Sequence, residues 1–132
     1  YGQGEGWLGY YWAPTAILGK YPMKKLSFGV PHDNDEWNSC TSQEDCANPQ
    51  KNSWVVSSVY TVVTDRFKQK AGIGMDYIVK RALPNKTINA LLAWKDDNQA
   101  TGEDAAMHFL ENYSEWHSWV DSSAKAKIEA AL

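Results

Sequence analysis

Hydrophobic residues in the first half of the chain fall in short aromatic or β-branched runs, a pattern typical of buried strands. These runs occupy residues 6–12 and 54–64, with the clearest signal at 59–64, and residues 25–28 could form a further short strand. The first run stops at Pro14, which has no backbone N–H to donate, and a short helix is predicted from there to Lys20. Residues 32–53 are mostly polar, which predicts a long irregular loop.

The second half of the chain places its apolar residues at helical spacing. Thr64 can cap a helix that begins at Asp65, and glycines at positions 72 and 74 are predicted to interrupt it. A capping-box pattern runs from Thr101 to Asp104. Further helices are predicted at residues 75–82, 88–92, 105–120 and 124–132. The order of elements indicates an α/β fold with a short sheet flanked by helices and a helical carboxyl-terminal tail.

The length and net charge of the chain exclude several classes of protein. The chain has 132 residues, 43% of them hydrophobic, and a net charge of -3, which predicts one globular domain with no basic surface for nucleic acid. No run approaches the roughly 20 apolar residues of a membrane span, and no leader-like segment opens the sequence. The protein is therefore cytosolic, or a targeting segment lies outside the sequence.

Two cysteines, Cys40 and Cys46, lie in the polar loop. We favour a local disulfide between them, which indicates an oxidising compartment, over the alternative of two free thiols. Calcium binding by the acidic residues at 33–36 is the less favoured alternative to a solvated charge run, so no metal site is predicted. No cofactor is predicted either.

Catalytic motifs are missing from the sequence, and neither His108 nor His117 has a nucleophile nearby, so we predict a binding protein and not an enzyme. Seven Trp and seven Tyr stand against three Phe, an excess typical of binding surfaces. At a strand end, Trp12 could present its ring to a methylated ammonium, which has no N–H to donate. From the residues alone, packing of Trp12 in the core is the favoured alternative, and Trp54 presents the same choice.

Three segments resemble the glycine betaine/proline-type substrate-binding proteins of ABC importers. The first is Gly-Glu-Gly-Trp-Leu-Gly-Tyr-Tyr-Trp-Ala-Pro at positions 4–14, where a Trp-Ala-Pro motif ends the predicted strand. The others are residues 53–64, similar to the strand that follows in the family, and residues 102–119, similar to its closing helices. The resemblance spans essentially the whole chain.

The resemblance implies a periplasmic-binding-protein fold of type II, present as one lobe or a fragment and corresponding to the carboxyl-terminal half. Residues 1–98 would form the lobe with the aromatic site, and residues 99–132 would return to a partner lobe in the missing amino-terminal half. Trp12 matches a cage tryptophan of the family. Trp54 is a second candidate, although the family often has a Phe-Pro pair there, and Tyr11 and Trp37 are candidates by proximity and loop position.

The function implied is capture of a quaternary-ammonium solute in the periplasm and its delivery to a permease and ATPase. Glycine betaine, choline, carnitine, proline betaine, trimethylamine N-oxide and sulfonium analogues share the required methylated cationic head. A module that stacks carbohydrate on exposed Trp and Tyr rings, or one that binds proteins through them, is the alternative from a different class.

Overall fold

Residues 3–132 are described by a computed structural model and contain helices and irregular segments. Residues 1 and 2, where the predicted unit begins, lie outside the described part. The chain divides into two compact units: one joins the residues up to Met23 to Thr61–Leu132, and the other is Lys24–Tyr60. The α-helices are α1 (Ala16–Lys20), α2 (Asn34–Glu36), α3 (Asp65–Lys70), α4 (Ile73–Lys80), α5 (Asn85–Asp97), α6 (Gly102–Asn112) and α7 (Ser122–Glu129). A π-helical turn, Trp37–Thr41, follows α2, and a 3₁₀ turn, Glu115–Ser118, follows α6.

Helix α1 packs closely on α5 in the first unit. The side chain of Thr15 caps α1, and its backbone N–H donates to Asn89 Oδ1 at 2.7 Å. A Cβ on Gly19 would lie 2.1 Å from the Asn89 carbonyl oxygen, so this contact requires glycine. Lys20 forms ion pairs with Asp96 and Asp97. The pKa of Lys20 is raised by these carboxylates, with the hydrogen bond to Asp96 the largest cause.

Three aromatic residues form the core of this unit: Phe109 on α6 and Trp116 and Trp119 in and after the 3₁₀ turn. The rings of Phe109 and Trp119 stack at a centroid distance of 5.5 Å. Trp116 is 2% exposed, and its indole N–H donates to the Leu110 carbonyl oxygen at 3.0 Å, so its polar edge is satisfied inside the core.

Local helix signals in the sequence were confirmed. Thr64 accepts a hydrogen bond from the Phe67 amide, and Thr101 and Asp104 form the reciprocal bonds of a capping box. Gly72, in the left-handed region at φ 49°, separates α3 from α4, but Gly74 lies inside α4. The predicted helix at 105–120 ends at Asn112, because the chain turns at Tyr113 before the 3₁₀ turn.

The prediction of an α/β fold with a short sheet is wrong: the structure has no strand between residues 3 and 132. The β-branched residues at 54–64 are not buried as predicted, and Val59 is 97% exposed. A strand needs a neighbour with which to exchange backbone hydrogen bonds, and β-propensity expresses that context more than a local preference. None of the three predicted strands has such a neighbour in the described chain.

The loop predicted at residues 32–53 was partly wrong. It contains α2 and the π-helical turn, which begin where Asp33 accepts hydrogen bonds from the Asp35 and Glu36 amides. An Asp at this position satisfies N–H groups that a helix start leaves unpaired. The polar side chain of Asp33 contributed to the prediction of an irregular loop, but in the structure it caps a helix.

Acid should destabilise the first unit through carboxyls whose pKa values are lowered on folding. Hydrogen bonds from Thr101 lower the pKa of Asp104 below 3.8, and the Thr87 hydroxyl lowers the pKa of Glu115 below 4.5. A lowered pKa stabilises the fold above the unfolded pKa, and the effect is lost as pH falls through the folded value. We expect the melting temperature to fall between about pH 5 and pH 3.

An Asp104→Asn variant isolates one of these carboxyls, since the amide cannot ionise. Thermal unfolding followed by circular dichroism should show a gap between wild type and variant at pH 7 that narrows towards pH 3. Glu103→Gln, which changes a carboxylate outside the capping box, is the control. A gap of equal size at both pH values would contradict the assignment.

Candidate ligand-binding site

The first unit carries an exposed aromatic segment immediately before α1. Trp12 is 71% exposed and Tyr11 is 48% exposed, so neither is a core residue. The ring of Tyr10 meets that of Trp12 edge to face, with centroids 5.7 Å apart. The segment ends at Ala13-Pro14 and is attached to α5 through Thr15. The segment therefore exposes several aromatic rings close to its attachment to α5.

The second unit holds the other two candidate tryptophans together. Trp37 lies in the π-helical turn, and its ring centroid is 5.1 Å from that of Trp54 at an interplanar angle of 63°. The ring of His32 lies 5.6 Å from Trp37 on a tilted approach. Trp54 is 53% exposed. Two indoles set at a steep angle form a corner whose outer faces can contact a ligand.

Hydrogen bonds over long sequence distances hold this corner. The backbone of Asp33 exchanges two 2.8 Å bonds with the side chain of Asn52, donating to Oδ1 and accepting from Nδ2. Glu36 Oε1 accepts from the Thr41 hydroxyl at 3.0 Å and from the Gln50 amide at 2.9 Å. His32 Nδ1 lies 2.7 Å from the Ser53 carbonyl oxygen. These bonds join the two ends of the segment that bears Trp37 and Trp54.

Cys40 and Cys46 form a disulfide, which confirms that prediction. Cys40 lies in the π-helical turn with Trp37, so the bond fastens the turn from its carboxyl-terminal side. Two of the acidic residues at 33–36 have partners within the unit: Asp33 caps α2, and Glu36 Oε1 accepts hydrogen bonds from Thr41 and Gln50. Within residues 3–132, no three His, Cys, Asp or Glu side chains converge as metal ligands.

A cavity of about 370 Å³ adjoins the tryptophan corner. Three aromatic rings and four polar side chains line it: Phe28, Trp37, Trp54, Thr41, Gln50, Lys51 and Asn52. Only Trp37 and Trp54 of these seven residues were predicted as site residues, so Phe28 and Lys51 are new candidates, together with the three polar residues Thr41, Gln50 and Asn52. The turn at Gly29-Val-Pro that follows Phe28 was visible in the sequence, whereas no local signal marks Lys51.

The structure thus separates the four candidates into two pairs. Tyr11 and Trp12 belong to the first unit, and Trp37 and Trp54 belong to the second, where they are in contact. Trp94 stacks on His108 with ring centroids 3.9 Å apart and planes 3° from parallel, which gives that tryptophan a packing role between α5 and α6.

A family model described as the substrate binding domain of an ABC-type glycine betaine transport system matches residues 1–112. No curated protein and no solved structure gives a significant match. Among the described residues, no helix is both long and apolar enough to cross a bilayer.

Proposed function

The chain belongs to the family of substrate-binding domains of ABC-type glycine betaine transport systems, and from this premise we propose that it captures a quaternary-ammonium solute on exposed indole faces. Domains of this family are non-enzymatic, bind a small molecule and work with an ABC transporter on the extracytoplasmic side of the membrane. We place this chain in the periplasm, delivering its solute to a permease and ATPase. A second half of the same protein would complete the site.

The exposed ring of Trp12 is the observation that carries the proposal. A trimethylammonium group cannot donate hydrogen bonds, so the negative face of an aromatic ring is its natural partner. Each ring contributes about 0.5–2 kcal/mol, depending on desolvation. Micromolar binding corresponds to about -8 kcal/mol, so the two rings of one unit supply part of it and the second half proposed above would supply the rest.

Each unit offers more than one ring to such a ligand. In the first unit, Tyr11 adds an exposed phenol next to Trp12 in sequence. In the second unit, Trp37 and Trp54 form the corner beside the cavity. We propose that each pair contacts ligand within its own unit, with Trp12 the principal residue because it matches the Trp-Ala-Pro motif of the family.

Calorimetry on the protein that carries this chain tests the proposal. Glycine betaine, choline and carnitine should give saturable heats at micromolar to millimolar concentration, because all present a methylated cationic head. Oligosaccharides are the comparison, since sugars also stack on exposed Trp and Tyr. Heat with oligosaccharides alone would favour a carbohydrate-binding module and reject the proposed function.

A further inference from the structure

The cavity in the Lys24–Tyr60 unit combines an aromatic wall with one cationic side chain. Phe28, Trp37 and Trp54 supply the rings, and Lys51 is the only lysine or arginine among its lining residues. The volume of about 370 Å³ lies at the lower end of the roughly 300–1,000 Å³ found for small-molecule sites. The cavity therefore suits a small ligand with both an apolar or cationic head and a polar end.

Most polar groups of the lining already have partners within the unit. Asn52 uses its side-chain oxygen and nitrogen on the backbone of Asp33. The Thr41 hydroxyl donates to Glu36, and the Gln50 side-chain amide donates to the Asn48 carbonyl oxygen at 3.2 Å. These groups shape the wall and are engaged before a ligand arrives.

The Lys51 ammonium, unlike these polar groups, is not engaged in this way: no ion pair formed by the described residues includes it. Its Nζ lies 3.6 Å from the position that a Cβ on Gly29 would occupy, which places the ammonium beside the residue that follows Phe28. Gly29 has φ +73° and no side chain, so the ammonium approaches the backbone there without obstruction.

We propose that this cavity is a ligand site in which Lys51 selects zwitterions over simple cations. The methylated ammonium would lie against Trp37 and Trp54, and the Lys51 ammonium would donate to the ligand carboxylate. The inference rests on the proposed function and assigns a residue to the end of the ligand opposite the methylated head. An ammonium in the lining stabilises a carboxylate by a charge-assisted hydrogen bond and repels a ligand that bears only positive charge.

The carboxylate of Glu36, which is bonded to two residues of the cavity wall, also favours the binding of a zwitterion. Glu36 holds two lining residues, Thr41 and Gln50, through one of its oxygens. Its negative charge near the wall favours the cationic head, while Lys51 favours the anionic end. No ion pair joins Glu36 to Lys51 in the described chain, so both charges can act on a ligand.

Glycine betaine and choline make a matched pair of probes, because both carry a trimethylammonium head and only betaine has a carboxylate. Lys51→Met keeps an unbranched apolar stem of similar length and removes the charge. Calorimetry should show betaine binding weakened about five-fold in this variant, the scale of a solvent-accessible ion pair, while choline binding is unchanged or tighter. The betaine effect should shrink as salt is raised.

Lys25→Met, in the same unit but outside the cavity lining, is the control and should leave both affinities unchanged. Unchanged betaine affinity in Lys51→Met, or an equal loss for betaine and choline, would overturn the role of Lys51 and leave the proposed function standing. If the wild-type protein bound neither probe, the proposed function would fail and this inference with it.

Discussion

Replacing Trp12 with alanine should weaken the binding of glycine betaine by about ten-fold or more, equivalent to about 1.4 kcal/mol. The ring is 71% exposed, so truncation removes a ligand surface without opening a cavity in the core of its unit. Trp12→Phe should recover part of the affinity, because phenylalanine keeps an aromatic face with a weaker attraction for cations. Titration calorimetry of the wild type and both variants measures the effect.

Trp7→Ala is the matched control, since Trp7 is another exposed tryptophan of the same segment and is not among the four proposed ligand-contacting residues. Its affinity should stay close to that of the wild type. Melting temperatures of all variants show whether folding is preserved. Wild-type affinity in Trp12→Ala would assign the ring to another purpose and remove the central residue from the proposed site.

Trp116→Ala should lower the free energy of unfolding of the first unit by about 3–5 kcal/mol, the usual cost of truncating a buried large aromatic residue. Trp116 is the most buried residue of the aromatic core. The substitution also removes the hydrogen bond from its indole N–H to the Leu110 carbonyl oxygen. Small domains have about 5–15 kcal/mol of stability in total, so the loss is a large share. Urea unfolding followed by circular dichroism gives the value.

Met107→Ala provides the comparison on the exposed side of α6 and should change stability by no more than about 0.5 kcal/mol. Near-equal effects of the two substitutions would mean that the core lies elsewhere than around Trp116.

Helices were predictable because their signals are local. Thr15, Thr64 and Thr101 each stand next to the amides that they cap, so a few residues of sequence contain the whole interaction. Strands were not predictable in this way. Residues 54–64 have high β-propensity, but a ladder also depends on a distant segment, and propensity at 54–64 carries no information about it.

Contacts within the candidate site likewise depend on residues that are distant in the sequence. Trp12 and Trp54 were identified from family segments, and neither the contact between Trp37 and Trp54 nor the cavity beside them could be predicted. That contact depends on bonds such as Asp33 to Asn52, 19 residues apart, and Glu36 to Gln50, 14 residues apart. Many polar residues in the loop could have formed such pairs. Composition alone does not choose among them.

The close approach of Gly19 to Asn89 has a mechanical consequence for Trp12. With a backbone carbonyl where a methyl group would otherwise sit, α1 cannot slide along α5 without a steric clash or the loss of the Thr15 to Asn89 bond. The aromatic segment is therefore attached to α5 at its carboxyl-terminal end. Only Ala13 and Pro14 separate Trp12 from Thr15, so the indole lies two residues from this attachment.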